Sequence, residues 1–247
     1  MKSPSMVMLR RNFKHIARNP TTVFNAVLMP IVVMLMFVYV FGDAFSVGVD
    51  YVDYATPGLL LLAVCYGLGS VAVSVNSDVT KGIINRFKVM DIPRSAVLTG
   101  HVLASVLTNL LAVAALVGVA FALGFSPSAS FVQWLGVIGL VVLLSFAAGW
   151  LTIAMGLAAK SPETAGLASL PLVMLPFFSS AISPTDKMGP GVREFAEYQP
   201  FTPIIETLRG LLNGAPHAGD VIPALAWCVG IAVVGYLWAS STFTKRA

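Results

Sequence analysis

The side chains that could carry out covalent or metal chemistry are few and scattered along the 247 residues. His15, His101 and His217 are far apart, and no HExxH, GxSxG or CxxC pattern occurs. Cys65 and Cys228 both lie in apolar stretches, where cysteine usually acts as a small hydrophobic residue. A catalytic or metal site needs several reactive groups close together. The sequence therefore predicts neither a catalytic site nor a metal site.

Long uncharged segments indicate a membrane protein. The 65 residues from 95 to 159 contain no Asp, Glu, Lys or Arg, and a turn-rich stretch at 124–130 divides them. One crossing of the hydrocarbon core takes about 20 apolar residues, so the segment predicts a transmembrane hairpin. Only 11% of the chain is charged, whereas soluble domains average about 25%.

Apolar runs of spanning length predict an all-α, polytopic fold that forms a single domain over residues 1–247. The six predicted spans are residues 21–42, 55–76, 95–123, 131–159, 164–182 and 221–243.

The net charge of +4 would suit nucleic acid, but the positions of the basic residues favour a membrane. Twelve of the fifteen Lys and Arg residues fall on the side of the membrane that holds both termini and the 77–94 loop. Eight of the eleven Asp and Glu residues fall on the other side. Because Lys and Arg accumulate in cytoplasmic loops, both termini are predicted to be cytoplasmic. No nucleic-acid partner is expected.

Residues 1–20 have a helical periodicity of apolar and basic side chains. Phe13 belongs to the apolar face, together with Met6, Leu9, Ile16 and Ala17, and the basic face consists of Arg11, Lys14, His15 and Arg18. This pattern predicts an interfacial helix whose basic side faces anionic lipid headgroups. The alternative is a basic flank that only sets the topology.

Polar residues inside the spans could line a substrate pathway or pack helices together. They are Asn25, Tyr66, Ser70, Ser74, Ser105, Thr108 and Asn109. Small and hydroxylic residues commonly pack helices in membranes, which favours a structural role for the serines. Asn25, Tyr66, Ser70 and Asn109 are the candidate pathway residues, and Asn109, near the middle of its span, is the strongest. We expect His101, near a span end, to be interfacial or packed. A mostly apolar pathway suits a lipophilic solute.

The loop at 77–94 is much longer than a chain reversal needs. Its apolar residues Ile83, Ile84, Phe87 and Met90 recur at helical spacing beside basic residues. This pattern predicts a short amphipathic helix that contacts a partner protein or the membrane surface. The predicted contact residues are Lys81, Gly82, Ile83, Ile84, Asn85, Arg86, Phe87 and Lys88.

Residues 82–87, followed by Pro93 and the sequence Arg-Ser-Ala, resemble the coupling helix of ABC-2 type permeases, in particular the drug-exporting subgroup. Residues 18–20, 51–58, 195–203 and 206–214 resemble other parts of the same family in the same order. The resemblance implies a six-span permease that pairs as a homodimer in the plasma membrane and exports hydrophobic drugs. Export of a lipid or lipid-linked glycan remains an alternative, and a secondary transporter a weaker one.

The chain lacks the GxxxxGK[S/T] phosphate loop that cradles nucleotide phosphates. The resemblance therefore implies that ATP and Mg are bound by a separate ATP-binding cassette subunit, with no cofactor in this chain.

The segment from Ser183 to Asp220 has two stretches with an apolar face. The pattern, supported by the family resemblance, predicts a pair of short re-entrant helices that cap the exit of the transport pathway. A folded surface loop is the alternative. Glu206 and Arg209 are three residues apart, and we expect them to form a modest exposed ion pair.

Overall fold

The computed structural model describes the backbone of residues 20–40, 42, 48–81 and 94–246, and the side chains of 27–40, 42, 48–81 and 98–244. The predicted interfacial helix at 1–20, apart from Pro20, and the predicted contact residues Gly82 to Lys88 lie outside the described residues. The described part is helical and has no strand, which confirms the all-α class. Its α-helices are α1 (Pro20–Val40), α2 (Tyr51–Thr80), α3 (Arg94–Ala122), α4 (Phe131–Ala158), α5 (Pro162–Ala168), α6 (Leu170–Met174), α7 (Val192–Tyr198), α8 (Phe201–Leu212) and α9 (Ala218–Arg246).

Within the described residues, four helices are long and apolar enough to cross a membrane. These candidate spans are Tyr51–Thr80, Leu98–Ala122, Phe131–Ala158 and Ala218–Thr244. They correspond to the second, third, fourth and sixth predicted spans. In α1, the part whose side chains are described, Val27–Val40, is a shorter apolar helix.

The predicted fifth span, 164–182, is not one continuous helix in the structure. Helix α5 ends at Ala168, α6 ends at Met174, and the 3₁₀ turn Leu175–Phe178 follows. Pro171 and Pro176 cause the irregularity, since proline has no N–H and its ring clashes with the carbonyl four residues earlier. The chain then leaves helical conformation at residues 179–182.

Helices α2, α4 and α9 run in one direction and α3 runs in the other, so the bundle has two ends, named here after the first and last residues of α2. At the Tyr51 end, the backbone N–H of Ser126, between α3 and α4, donates to Asp53 Oδ1 at 2.9 Å. At the Thr80 end, Asn76 Nδ2 donates to the carbonyls of Gly156, near the end of α4, and Ala159, just after it, at 2.9 and 2.7 Å.

Each end of the bundle has its own hydrophobic core. The Tyr51-end core includes residues 59–65 of α2 and the fully buried Ile204, Ile205 and Leu208 of α8. The Thr80-end core joins Val75 of α2, Leu98 of α3, Ile153 of α4 and Phe243 of α9. Helix α8 is thus built into the bundle and is not a surface element.

Helices α2 and α4 approach so closely that only a small residue fits between them. A Cβ atom on Gly156 would fall 2.6 Å from the carbonyl oxygen of Ala72. Backbone contact through small residues is the usual way in which membrane helices pack, because lipid provides no hydrophobic force between them.

We predict that Gly156→Val destabilises the bundle, because the added side chain must push α2 away from α4. Overpacking of this kind costs about 1–3 kcal/mol. The matched control is Gly139→Val in the same helix, where a Cβ would meet nothing within 4 Å. Thermal unfolding in detergent should show a lower Tm for Gly156→Val only. Equal Tm values for the two variants would contradict the close approach.

Candidate functional site

The non-helical stretch at residues 179–182 lies at the Tyr51 end, directly against α2. A Cβ on Gly58 of α2 would fall 2.4 Å from the Cα of Ala181, so the two backbones are in contact. In a bilayer, unwound backbone is tolerated only where protein groups or enclosed water bond its N–H and C=O groups. The groups that satisfy this stretch therefore fix how it sits on the bundle.

Side chains from other parts of the chain donate hydrogen bonds to the carbonyl groups of this stretch. We name this arrangement the carbonyl clasp. The hydroxyl of Tyr54 donates to the Ser180 carbonyl at 3.0 Å, and that of Tyr51 donates to the Ile182 carbonyl at 3.2 Å. Gln199, which follows α7, donates its amide to the Phe178 carbonyl. The two tyrosines are three residues apart on α2 and therefore point the same way.

Arg209 of α8 completes the carbonyl clasp. Its Nη2 donates to the carbonyls of Ser180 at 2.8 Å and Tyr54 at 3.2 Å, and its Nη1 pairs with Glu206. The guanidinium carbon lies 4.0 Å from the centre of the Tyr54 ring, which is cation–π geometry. One cation thus joins α8, α2 and the unwound stretch.

The structure contains the Glu206–Arg209 pair that the spacing predicts, but the expectation of an exposed pair is wrong for the arginine. The Arg209 side chain is only 13% exposed, while that of Glu206 is 33% exposed. The reason is the burial of α8, which carries Arg209 against α2. Nothing in the local sequence distinguishes this arginine from a surface one.

Helix α7, which positions Gln199, begins with an acidic cap. Glu194 accepts a hydrogen bond from the backbone N–H of Gly191, whose φ of 83° suits glycine. Hydrogen bonds from the N–H groups of Glu194 itself and of Gly191 lower the pKa of this carboxyl.

Side chains are described for three of the four candidate pathway residues, and Asn109 packs against Gly67, which lies between Tyr66 and Ser70 on α2. Asn109 is 1% exposed, and its Nδ2 donates to Ser145 Oγ of α4 at 3.3 Å. Ser70 donates to the Gly67 carbonyl of its own helix, and Tyr66 packs partly buried beside the Tyr51-end core. The Asn25 side chain lies outside the described ones. In this conformation Asn109 and Ser70 stabilise the helices, and their part in a pathway stays a prediction.

The Thr80 end holds a second group of polar residues, and the sequence predicted only some of them. Lys81 follows α2 and is exposed. Asp78 of α2 and His101 of α3 form a mostly buried side-chain contact, with 3.3 Å between Oδ2 and Nε2. The sequence predicted an interfacial or packed His101, without a partner. An acid and a histidine near the ends of two consecutive predicted spans were the available signal.

Long apolar helices with buried polar contacts at both ends define an integral membrane protein. Residues 5–213 match the ABC-2 type transporter family, and the chain belongs to this family. The family consists of membrane-transport subunits that are not themselves enzymes.

Two relatives support the same assignment. The chain is 29% identical over 224 residues to the daunorubicin resistance ABC transporter permease protein DrrB1 of Streptomyces coeruleorubidus, covering 90% of this chain and 77% of the relative. It is 27% identical over 221 residues to the probable doxorubicin resistance ABC transporter permease protein DrrC of Mycobacterium tuberculosis, covering 88% of this chain and 80% of the relative. The resemblance seen in the sequence is thereby confirmed.

We predict that Arg209→Gln destabilises the protein, because it leaves two carbonyls and the Glu206 charge without their cation. Breaking a buried ion pair costs 3–5 kcal/mol in general, and the partial exposure of Glu206 reduces the expected loss to about 2 kcal/mol. Denaturant titration in detergent measures it.

The matched control is Arg193→Gln on α7, whose partner Glu197 lies 2.8 Å away in an exposed pair. This variant should unfold at the same denaturant concentration as the unchanged protein. A similar loss in both variants would show that Arg209 has no special role.

Proposed function

We propose that the chain is the permease subunit of an ATP-binding cassette exporter that moves a hydrophobic or amphiphilic solute outward. The observation that carries the proposal is the family match over residues 5–213, which includes the 77–94 loop predicted to contact the ATPase. The drug-resistance names of the two relatives support an amphiphilic, antibiotic-like solute.

The proposed topology has six crossings, with both termini in the cytoplasm of a cell whose plasma membrane holds the protein. The helix directions support it, because α4 and α9 run the same way and the chain between them must therefore return across the membrane once. In this topology α1 supplies the first crossing, and α5, α6 and the 3₁₀ turn supply the fifth between the two ends. The Thr80 end is then cytoplasmic, and the carbonyl clasp lies at the external end. The predicted interfacial helix at 1–20 lies on the cytoplasmic membrane surface.

In the proposed complex, each copy of the chain forms a single transmembrane domain and two copies form a dimer. The dimer contacts two ATP-binding subunits, which bind ATP and Mg. Closure of those subunits on ATP pushes residues 81–88 and tilts α2 and α3. Moving a two-state bundle from 1:99 to 99:1 takes about 5.5 kcal/mol of preference for one state. A docked amphipathic helix with several buried side chains can transmit a free-energy difference of that size, whereas a flexible polar loop cannot.

We predict that Arg86→Glu combined with Lys88→Glu abolishes ATP-driven transport, because the reversed charges repel the surface that the basic residues fit. Membrane insertion should be unchanged, since ten basic residues remain on the same side. Vesicle transport assays and membrane fractionation measure the two properties.

The matched control is Lys187→Glu combined with Arg193→Glu, which makes the same charge change in the segment at the Tyr51 end. It should transport normally. Normal efflux by the Arg86/Lys88 variant would refute the coupling role of the loop.

We also predict that amphiphilic drugs, not lipid carriers, stimulate ATP hydrolysis by the reconstituted complex at least severalfold. The physical reason is that the described interior offers apolar side chains and hydroxyls but few charges for a glycan. Stimulation only by lipid-linked glycans would favour that alternative. A purified chain that transports without any ATPase would favour a secondary transporter.

A further inference from the structure

The two helix ends that flank residues 82–93 are joined inside the bundle by one pair of side chains. Asp78 lies three residues before Lys81, where the chain leaves α2, and His101 lies seven residues after Arg94, where α3 begins. His101 Nε2 and Asp78 Oδ2 are 3.3 Å apart. The pair therefore closes the base of the predicted coupling loop.

The surroundings make this contact different from a surface ion pair. The side chains of His101 and Asp78 are 8% and 13% exposed. Burying a carboxylate is costly unless a donor compensates it, and the imidazole N–H is such a donor. Ionisable residues within transmembrane helices are rare and usually serve a function. A contact without any role would not be expected at this degree of burial.

The same part of α2 is also attached to α4. Asn76 donates to the carbonyls of Gly156 and Ala159, which belong to the end of α4. Val75 packs in the Thr80-end core with Leu98 and Val102 of α3. The end of α2 is thus held by α3 through Asp78 and by α4 through Asn76.

We propose that Asp78 and His101 are positioning residues that clamp α2 to α3, so that a push on the loop between them moves both helices as one body. Without the clamp, α2 bends away from α3 and absorbs the push locally. The proposal rests on the coupling role of the loop given above and adds the residues that make its base rigid.

The test compares His101→Leu, which removes the donor, with His101→Gln, whose amide can still donate to Asp78. In the reconstituted complex, the amount of solute moved per ATP hydrolysed should fall about tenfold in His101→Leu, a coupling loss of ordinary size. Hydrolysis itself should continue. His101→Gln should retain most of the ratio, and Thr108→Val on the same helix should retain all of it.

A second measurement needs no ATPase. Spin labels at Lys81 and Arg94, with labelled protein diluted into unlabelled permease, report the separation of the two helix ends within one copy. The distance distribution should broaden in His101→Leu and stay narrow in His101→Gln. If His101→Leu does not fold, Asp78→Ala replaces it, with the same expectations.

The outcomes separate the two proposals. An unchanged transport ratio in His101→Leu, or an unchanged distance distribution, would overturn the clamp. Parallel loss of transport and hydrolysis would also overturn it, because that result indicates a purely structural role. If the unaltered protein shows no ATP-driven transport, the proposed function fails, while the distance measurement still decides whether the clamp exists.

Discussion

Every backbone polar group within the bilayer must find its partner inside the protein, and the rest of the structure depends on this constraint. Long helices meet it internally, which is why α2, α3, α4 and α9 dominate the fold. Where the chain leaves helical conformation after Phe178, the constraint is met by side chains. Tyr51, Tyr54, Gln199 and Arg209 supply donors to carbonyls at residues 178–182. The carbonyl clasp is therefore the consequence of a broken helix in an apolar solvent, and it ties together elements that are far apart in sequence.

The sequence predicted the parts of the fold that composition and length determine. Spans of about 20 apolar residues need no knowledge of their neighbours, so four long helices were placed correctly from the pattern alone. The break near Ser169 was not, because an apolar run of spanning length does not show where proline ends a helix. The family resemblance was visible in residues 82–87 and 195–214, because it rests on short motifs that follow one another in the same order as in the family.

The side-chain pairings were beyond reach of the sequence for a physical reason. Arg209 and Ser180 are 29 residues apart, and Asp78 and His101 are 23 apart, so each pairing depends on how whole helices pack. Asn109 illustrates the converse. Its central position suggested a pathway, but in this conformation its amide bonds to Ser145 and is buried, because an unpaired amide in an apolar core costs free energy.

Helix α2 connects the two polar groups, and its environment explains why it is suited to carry a signal between them. It is 30 residues long, about 45 Å at the ordinary helical rise. In its most apolar window 72% of the residues are buried, against 17% for α9, so α2 contacts protein along its length while α9 faces outward. Tyr51 and Tyr54 bond the unwound stretch at one end, and Asn76 and Asp78 bond α4 and α3 at the other. If α2 moves as a rigid body in the proposed export cycle, displacement of its Thr80 end moves Tyr51 and Tyr54 against Ser180 and Arg209. In this way one helix links the loop predicted to meet the ATPase with the backbone break at the opposite face of the membrane.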